Sequence, residues 1–185
     1  MKDLVSIIMP MYNSAAFVVE AIQSVLAQTY TNWELIIVDD CSSDDSVSHV
    51  REFCHADSRI HLLQTNKASG SPTTPRNEGV KHANGRFIAF LDSDDMWLPM
   101  KLEEQLKVFN DSDDSVAIVF SDYEKIKECG TRSGRIVKAP ASANYASMLK
   151  GNVIGNLTGM YDTAKVGKVF FKQIHHEDYV MWLSI

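Results

Sequence analysis

The chain of 185 residues has few of the features that mark membrane proteins and nucleic-acid-binding proteins. Its first apolar run, residues 4–9, is too short for the core of a signal peptide and far too short to cross a bilayer. It has no stripe of lysine and arginine, and its formal net charge is -6, so we expect no direct binding to nucleic acid. These absences predict a cytoplasmic protein whose contact with a membrane, if any, is peripheral and at the inner face.

Cysteine is also scarce. Cys41, Cys54 and Cys129 are an odd number of cysteines, and no two of them have the Cys-x-x-Cys spacing. This favours reduced thiols in the cytosol over a disulfide framework. No His-Glu-x-x-His motif and no Cys/His cluster is present, which argues against a zinc site.

Several nucleotide-binding classes need glycine where this chain has none. The turn after the first predicted strand is Pro10-Met11-Tyr12-Asn13, not the glycine-rich turn of a dinucleotide-binding oxidoreductase or the glycine-rich basic loop of a nucleotidyltransferase. The Gly-Lys-Ser/Thr sequence of a P-loop is absent. A receiver-like regulatory domain would carry its acidic pair after the first strand, which this chain does not. A non-catalytic nucleotide-binding or regulatory α/β module of another kind remains the alternative.

Apolar runs alternate with helical patterns along the first two thirds of the chain. Five runs are predicted as strands, at residues 4–9, 34–38, 60–63, 86–91 and 116–120. Helices between strands imply right-handed crossovers and a mainly parallel sheet. The strands are apolar almost throughout, as in sheets covered on both faces. We therefore predict a single α/β domain over residues 1–185, with weaker strands at 136–138 and 157–161 in a mixed extension and a short helix at 145–149.

Local signals predict where three helices begin or end. Ser14 is suited to cap the first helix, and Ser42, Ser43 or Asp44 the second. Pro75 is suited to the first turn of a third helix that runs to residue 84, with Gly85 as its left-handed cap. A last helix begins near residue 176 and ends in an apolar stretch, from which we expect a chain truncated at its C-terminus.

The most informative segment follows the predicted strand at 86–91. Residues 92–95 read Asp-Ser-Asp-Asp, which places three carboxylates in one turn. Like charges so close raise each other's pKa, and a hard divalent cation would relieve the repulsion. Helix capping alone needs fewer carboxylates. A cation held by few protein oxygens has positions open for a diphosphate, so the segment indicates a nucleotide-dependent transferase.

Polar clusters at residues 10–13, 39–42 and 92–95 each follow a predicted strand. In a parallel sheet they lie along one edge, where open α/β sheets bind ligands. There Tyr12 offers a ring for stacking on a base, Asp40 an acceptor for the edge of that base, and Arg76 a donor for a phosphate or ribose. Taken alone, residues 39–44 fit a turn and helix cap better than a binding site.

Glu177 and Asp178 begin the last predicted helix. Acidic residues are favoured in a first helical turn by the helix macrodipole alone. A carboxylate here would instead serve as a general base if the fold placed it opposite the cation. Spacing does not decide between the two interpretations.

Taken together, these clusters resemble glycosyltransferase family 2, whose members are inverting enzymes with a GT-A fold. The resemblance rests on Pro-x-Tyr-Asn and Asp-Asp-x-Ser near the start, Arg-Asn-x-Gly and Asp-x-Asp in the middle, and Glu-Asp near the end. Each element is short, and the ordered set is the specific signal. Two departures are Pro75, where the family commonly has a small residue, and the long Ser/Thr/Pro loop before it.

The resemblance implies roles for individual residues. It implies a nucleotide site formed by Pro10, Tyr12, Asn13, Asp39, Asp40, Arg76, Asp92 and Ser93. It implies that Mn2+ or Mg2+ is held by Asp92, Asp94 and Asp95. It further implies that Asp178 is the catalytic base.

The resemblance also implies an activity. Such an enzyme moves a sugar from a nucleotide-diphosphate sugar, here expected to be a UDP-sugar, to a hydroxyl of a saccharide or lipid-linked saccharide acceptor. The usual setting is synthesis of cell-surface polysaccharide or lipopolysaccharide. Residues 1–120 would form the half that binds the nucleotide sugar, and residues 121–185 the acceptor half.

Overall fold

The computed structural model describes residues 3–126 and 131–185, so Cys129 lies outside the described residues. Its strands are β1 (Val5–Met11), β2 (Trp33–Asp39), β3 (Ile60–Gln64), β4 (Phe87–Phe90), β5 (Ile118–Val119), β6 (Tyr123–Ile126), β7 (Arg132–Val137) and β8 (Met160–Asp162). Its α-helices are α1 (Val18–Leu26), α2 (Ser46–Ala56), α3 (Thr73–His82), α4 (Lys101–Asp111), α5 (Tyr145–Met148), α6 (Thr163–Val166) and α7 (Glu177–Leu183). A 3-10 turn spans Asn156–Thr158.

The main sheet has the strand order β3-β2-β1-β4-β8-β5. Strands β1 to β4 pair in parallel, whereas β8 runs antiparallel to both β4 and β5. The predicted α/β class, the mainly parallel sheet and the mixed extension are therefore confirmed. Strands β6 and β7 form a separate antiparallel pair. Of these two, the sequence pattern predicted only part of β7, because β6 has no alternating or continuous apolar run.

The central strands have apolar side chains on both faces, and each face is covered by a different set of helices. On one face Ile7 and Met9 of β1 share a core cluster with side chains of α1, α2 and α4. On the other face Ile8 shares a cluster with Val80 of α3 and Trp182 of α7. Successive side chains of a strand point to opposite faces, so two-sided cover requires the continuous apolar runs seen in the sequence.

Two helix starts differ from the predictions. Helix α1 begins at Val18, and the hydroxyl of Ser14 lies 2.7 Å from the hydroxyl of Ser93 instead of capping the helix. The N-cap of α2 is Asp45, which makes no side-chain cap bond within the described residues. Asp44, one residue earlier, accepts hydrogen bonds from the backbone N–H of Ser46, the first residue of α2, and from the backbone N–H of Ala15, both at 3.0 Å. Ser14 and Asp44 also connect the loops after β1, β2 and β4 at the sheet edge.

Gly85 is not a left-handed helix cap, contrary to prediction. Helix α3 ends at His82, its C-cap Ala83 is extended, and the φ of Gly85 lies outside the left-handed range. Gly85 instead packs directly on β1, where a Cβ would lie 2.6 Å from the backbone nitrogen of Ser6 and 2.7 Å from the carbonyl oxygen of Leu4. Glycine is required here because the two backbones approach so closely.

Within the described ranges, none of the helices is both long enough and apolar enough to cross a bilayer.

Replacing Gly85 with alanine tests this close approach. The added methyl group would collide with backbone atoms, which cannot rotate away, so we expect Gly85→Ala to lower the free energy of unfolding by about 1–3 kcal/mol. Urea denaturation followed by circular dichroism measures the loss. The exposed position Lys107 serves as a control, since Lys107→Ala should change the free energy by less than about 0.5 kcal/mol. Equal stability of Gly85→Ala and the native chain would contradict the assignment.

Candidate active site

A pocket of ≈ 420 Å³ lies at the edge of the sheet where β1, β2 and β4 end. The parallel strands deliver their following loops to this edge, as the sequence predicted. The residues that line the pocket are Pro10, Met11, Tyr12, Asp40, Ala68, Gly70, Ser71, Pro72, Pro75, Arg76, Asp92, Ser93 and Asp94.

The Tyr12 ring lies at the pocket, and the turn that carries it is held by hydrogen bonds to the turn after β2. The Tyr12 side chain is 58% exposed. The next residue, Asn13, has a φ of 46°, a left-handed conformation that asparagine tolerates better than most residues. Its side-chain oxygen accepts a hydrogen bond from the N–H of Ser43 at 2.8 Å, and its own N–H donates to the hydroxyl of Ser42 at 2.9 Å. Asn13 therefore ties the turn after β1 to the turn after β2 and does not itself line the pocket.

The neighbouring carboxylates Asp39 and Asp40 have different surroundings. Asp39 is fully buried and accepts hydrogen bonds from the N–H of Ser42 at 3.2 Å and from the amide of Gln64 at 3.0 Å. These hydrogen bonds stabilise the turn after β2, and Asp39 does not line the pocket. Asp40 lines the pocket.

The Asp40 carboxylate anchors the loop that follows β3. It accepts hydrogen bonds from the hydroxyl of Thr65 at 2.8 Å, and from the N–H at 2.9 Å and hydroxyl at 2.8 Å of Ser69. Burial acts to raise the pKa of this carboxyl, but the hydrogen bonds from Ser69 and Thr65 outweigh it, so the pKa lies below its ordinary value. Asp40 is thereby kept ionised and holds Ala68 and Gly70 in the pocket wall. Neither Thr65 nor Ser69 could be predicted as a partner of Asp40 from the sequence, because their loop differs from other loops only in composition.

Arg76 lies in the first turns of α3 and is almost fully buried, with 5% of its side chain exposed. One terminal nitrogen (Nη2) donates to Asp92 Oδ1 at 2.6 Å, and the other (Nη1) donates to Glu177 Oε1 at 2.8 Å. Its Nε finds no partner among the described residues. The guanidinium also lies 5.3 Å from the centre of the Phe171 ring. One cation therefore joins the turn after β4 to the first turn of α7.

The acidic turn after β4 contains carboxylates in three different environments. Asp92 is paired with Arg76, and Asp94 is exposed at the pocket. Burial, followed by repulsion from Asp92 and Asp94, raises the pKa of Asp95 to about 7, although Arg76 acts in the opposite direction. Within the described residues, no group of three or more His, Cys, Asp or Glu side chains is arranged to hold a metal ion by itself.

Asp178 is not among the residues that line the pocket. Its Oδ2 accepts a hydrogen bond from the side-chain amide of Asn152 at 3.1 Å. The preceding residue, Glu177, reaches Arg76 in the pocket wall. The structure therefore connects the first turn of α7 to the pocket through one buried ion pair. The sequence carried no signal for Asn152, which lies in a weakly patterned segment.

The structure brings together most of the residues predicted to bind the nucleotide or metal. Those that line the pocket are Pro10, Tyr12, Asp40, Arg76, Asp92, Ser93 and Asp94. Four predicted residues are outside the pocket lining. Asn13, Asp39 and Asp95 are next to residues in it, whereas Asp178 is next to Glu177, which binds Arg76 of the lining. The predicted roles of the individual residues stay predictions.

Comparison with known proteins identifies the family. The sequence profile described as Glycosyl transferase family 2 matches residues 6–169, which is most of the chain. The chain belongs to glycosyl transferase family 2. The resemblance drawn from the ordered motifs is therefore confirmed, and the chain is a glycosyltransferase domain.

Two curated relatives match almost the whole chain. This chain is 44% identical over 182 residues to the Escherichia coli UDP-Glc:alpha-D-GlcNAc-diphosphoundecaprenol beta-1,3-glucosyltransferase WfgD. The match covers 98% of this chain and 69% of that enzyme. The chain is 38% identical over 185 residues to the putative teichuronic acid biosynthesis glycosyltransferase TuaG of Bacillus subtilis, covering 100% of this chain and 72% of that protein.

Among solved structures, S. aureus TarS 1-349 superposes with a TM-score of 0.79 at 25% identity, covering 100% of this chain and 55% of that one. A complex of TarS 1-349 with UDP-GlcNAc gives a TM-score of 0.76 at 25% identity and covers 100% of this chain and 53% of that one. The GT-A fold is confirmed by these neighbours. The chain spans about half the length of the two TarS 1-349 structures and about seven tenths of the two curated relatives.

Removing the charge of Arg76 tests how much its ion pairs contribute to the free energy of unfolding. Arg76→Met would leave Asp92 and Glu177 without their shared cation, and breaking a buried pair in this way costs about 3 kcal/mol. Urea denaturation of the native chain and the variant measures the loss. The control Lys81→Met removes an exposed surface pair with Glu78 and should cost less than about 1 kcal/mol. If both variants lost the same free energy of unfolding, the Arg76 ion pairs would stabilise the chain no more than an exposed pair does.

Proposed function

We propose that this domain transfers a sugar from a UDP-sugar to a hydroxyl of a lipid-linked saccharide, with inversion at the anomeric carbon and with a divalent cation. The observation that carries the proposal is the position of Arg76. Its guanidinium binds Asp92 of the pocket and Glu177, the residue next to Asp178. Arg76 would therefore hold a donor bound in the pocket close to a base on α7.

The pocket has two chemically distinct parts that suit a nucleotide diphosphate. Tyr12 and the loop anchored by Asp40 provide an aromatic ring and backbone surface suited to a flat base. Arg76 and Asp94 provide a guanidinium and an exposed carboxylate suited to a ribose and to a cation-bound diphosphate. TarS binds UDP-GlcNAc, and WfgD is named for a UDP-Glc donor, which supports uracil as the base.

In this proposal Asp178 performs the proton transfer. Its carboxylate accepts the proton of the acceptor hydroxyl as that oxygen forms a bond to the anomeric carbon. The bond from the anomeric carbon to the diphosphate oxygen breaks on the opposite side, and its electron pair leaves with the diphosphate. A single displacement through an oxocarbenium-like transition state inverts the configuration.

The acidic turn is chemically suited to a cation shared with the donor. Its oxygens are ligands that Mn2+ and Mg2+ accept, and the repulsion that raises the pKa of Asp95 would fall if positive charge entered the turn. Asp94, exposed at the pocket, would be the principal ligand, with Asp92 and Asp95 beside it. A bound cation would neutralise charge growing on the departing diphosphate.

The acceptor is proposed from the two curated relatives. WfgD is named for transfer to alpha-D-GlcNAc-diphosphoundecaprenol, and TuaG for teichuronic acid biosynthesis. Both names support a role in cell-surface polysaccharide synthesis. A lipid-linked acceptor would bring this domain to the cytoplasmic face of a membrane by peripheral contact, with residues 121–185 on the acceptor side.

Replacing Asp178 with asparagine separates chemistry from donor binding. Asp178→Asn keeps the size of the side chain but removes the proton acceptor, so we expect UDP affinity within about twofold of native and transfer reduced by at least about 100-fold. Calorimetry with UDP and a radiolabelled transfer assay measure the two quantities. The exposed substitution Asp111→Asn is the control and should change neither. Native transfer by Asp178→Asn, or equal loss of binding and transfer, would contradict the role of the base.

Calorimetry with UDP and Mn2+ tests donor and metal together. We expect UDP to bind the native chain more tightly with Mn2+ than without it, and Asp94→Ala to weaken the Mn2+-dependent binding by at least about tenfold, or about 1.4 kcal/mol. Asp114→Ala, in an exposed loop, is the control. Absence of any UDP heat would favour a regulatory module over a transferase. Identical titrations of Asp94→Ala and the native chain would refute the metal assignment.

A further inference from the structure

The first turn of α7 carries Glu177 and Asp178 but has no cap of its own. The helix is seven residues long, and its N-cap His176 has a left-handed backbone with a φ of 57°. No side chain in residues 3–126 or 131–185 caps the turn. Because its first N–H groups are not held by a cap, the direction of this turn depends on contacts made by its side chains and by the apolar residues that follow.

Three side-chain contacts hold the turn from different sides, and one of them is the hydroxyl of Tyr179, which donates to the carbonyl oxygen of Met148. The Glu177 carboxylate accepts from Arg76 at 2.8 Å, between side chains that are 21% and 5% exposed. Asp178 accepts from the amide of Asn152 at 3.1 Å, at an exposed position. The Arg76 contact is charged at both ends and more buried, so it is the stronger constraint.

Arg76 is itself fixed relative to the donor pocket. Its other terminal nitrogen binds Asp92 at 2.6 Å, its backbone belongs to α3, and its guanidinium faces the Phe171 ring at 5.3 Å. These three restraints fix the position of the Arg76 guanidinium. The ion pair with Arg76 in turn fixes the position of the Glu177 carboxylate.

Glu177 and Asp178 are adjacent residues of a helix, so they leave the helix axis in directions about 100° apart. Glu177 points to Arg76, and Asp178 is therefore directed elsewhere, to the side of Asn152. The two carboxylates do not occupy equivalent positions. An anchored Glu177 fixes the rotation of the turn and, through it, the direction of Asp178.

We propose that Glu177 is a positioning residue whose ion pair with Arg76 sets the location of the Asp178 carboxylate relative to the donor. The inference rests on the proposed function, in which Asp178 is the base. Displacing a reacting group by about 1 Å can cost about 100-fold in rate, so loss of this ion pair should slow transfer without weakening donor binding.

The test uses a graded series at Glu177. Glu177→Ala removes the contact to Arg76, whereas Glu177→Gln keeps a neutral acceptor, which makes a hydrogen bond about half as strong. We expect kcat to fall about 10- to 100-fold in Glu177→Ala and less in Glu177→Gln, with the donor KM and the UDP Kd within about twofold of native. Glu78→Ala, which removes an exposed pair with Lys81, is the matched control and should leave kcat unchanged.

The outcomes separate this inference from the proposed function. Native kcat in folded Glu177→Ala overturns the positioning role, and so does a loss of UDP affinity as large as the loss of kcat, because Glu177 would then belong to the donor site. If Glu177→Ala does not fold, Glu177→Gln decides by the same two criteria. The proposed function fails separately if Asp178→Asn transfers sugar at the native rate.

Discussion

The two ion pairs of Arg76, with Asp92 and with Glu177, are the interaction on which the rest of the candidate site depends. Taking a guanidinium out of water is costly, and it is tolerated here because two carboxylates approach it. Those carboxylates come from separate elements, the turn after β4 and the first turn of α7. One buried cation thus fixes the pocket wall and the helix that carries Asp178 in a single arrangement.

The carboxylates at this edge of the sheet divide into those bound by other residues of the chain and one that is exposed at the pocket. Asp39 holds its own turn, Asp40 anchors the loop after β3, and Asp92 binds Arg76. Asp94 is exposed at the pocket. Carboxylates close to one another repel, so most of them need partners inside the protein. In the proposed function the exposed one, Asp94, would meet the donor and its cation. Most acidic residues of the family motifs therefore stabilise the loops that form the pocket.

The sheet, its carboxyl edge and the family could be predicted from the sequence because their signals are local or ordered along the chain. The continuous apolar run of residues 4–9 predicted a strand covered on both faces, and β1 is buried along its whole length. The partners of the charged residues could not be predicted in the same way. Ser69 is 29 residues from Asp40, and Glu177 is 101 residues from Arg76. No pattern within a segment indicates contacts between such distant positions.

By itself, the order of residues determined the alternation of strands and helices, the edge where polar turns collect and the membership of glycosyl transferase family 2. Local periodicity suffices for these, since a strand or helix needs only its own segment to show an apolar face. Only the tertiary structure decided which acidic residues line the pocket, that Gly85 packs on β1 and that Arg76 joins Asp92 to Glu177. Such assignments depend on distances between segments, and those distances exist only once the sheet has brought the segments together.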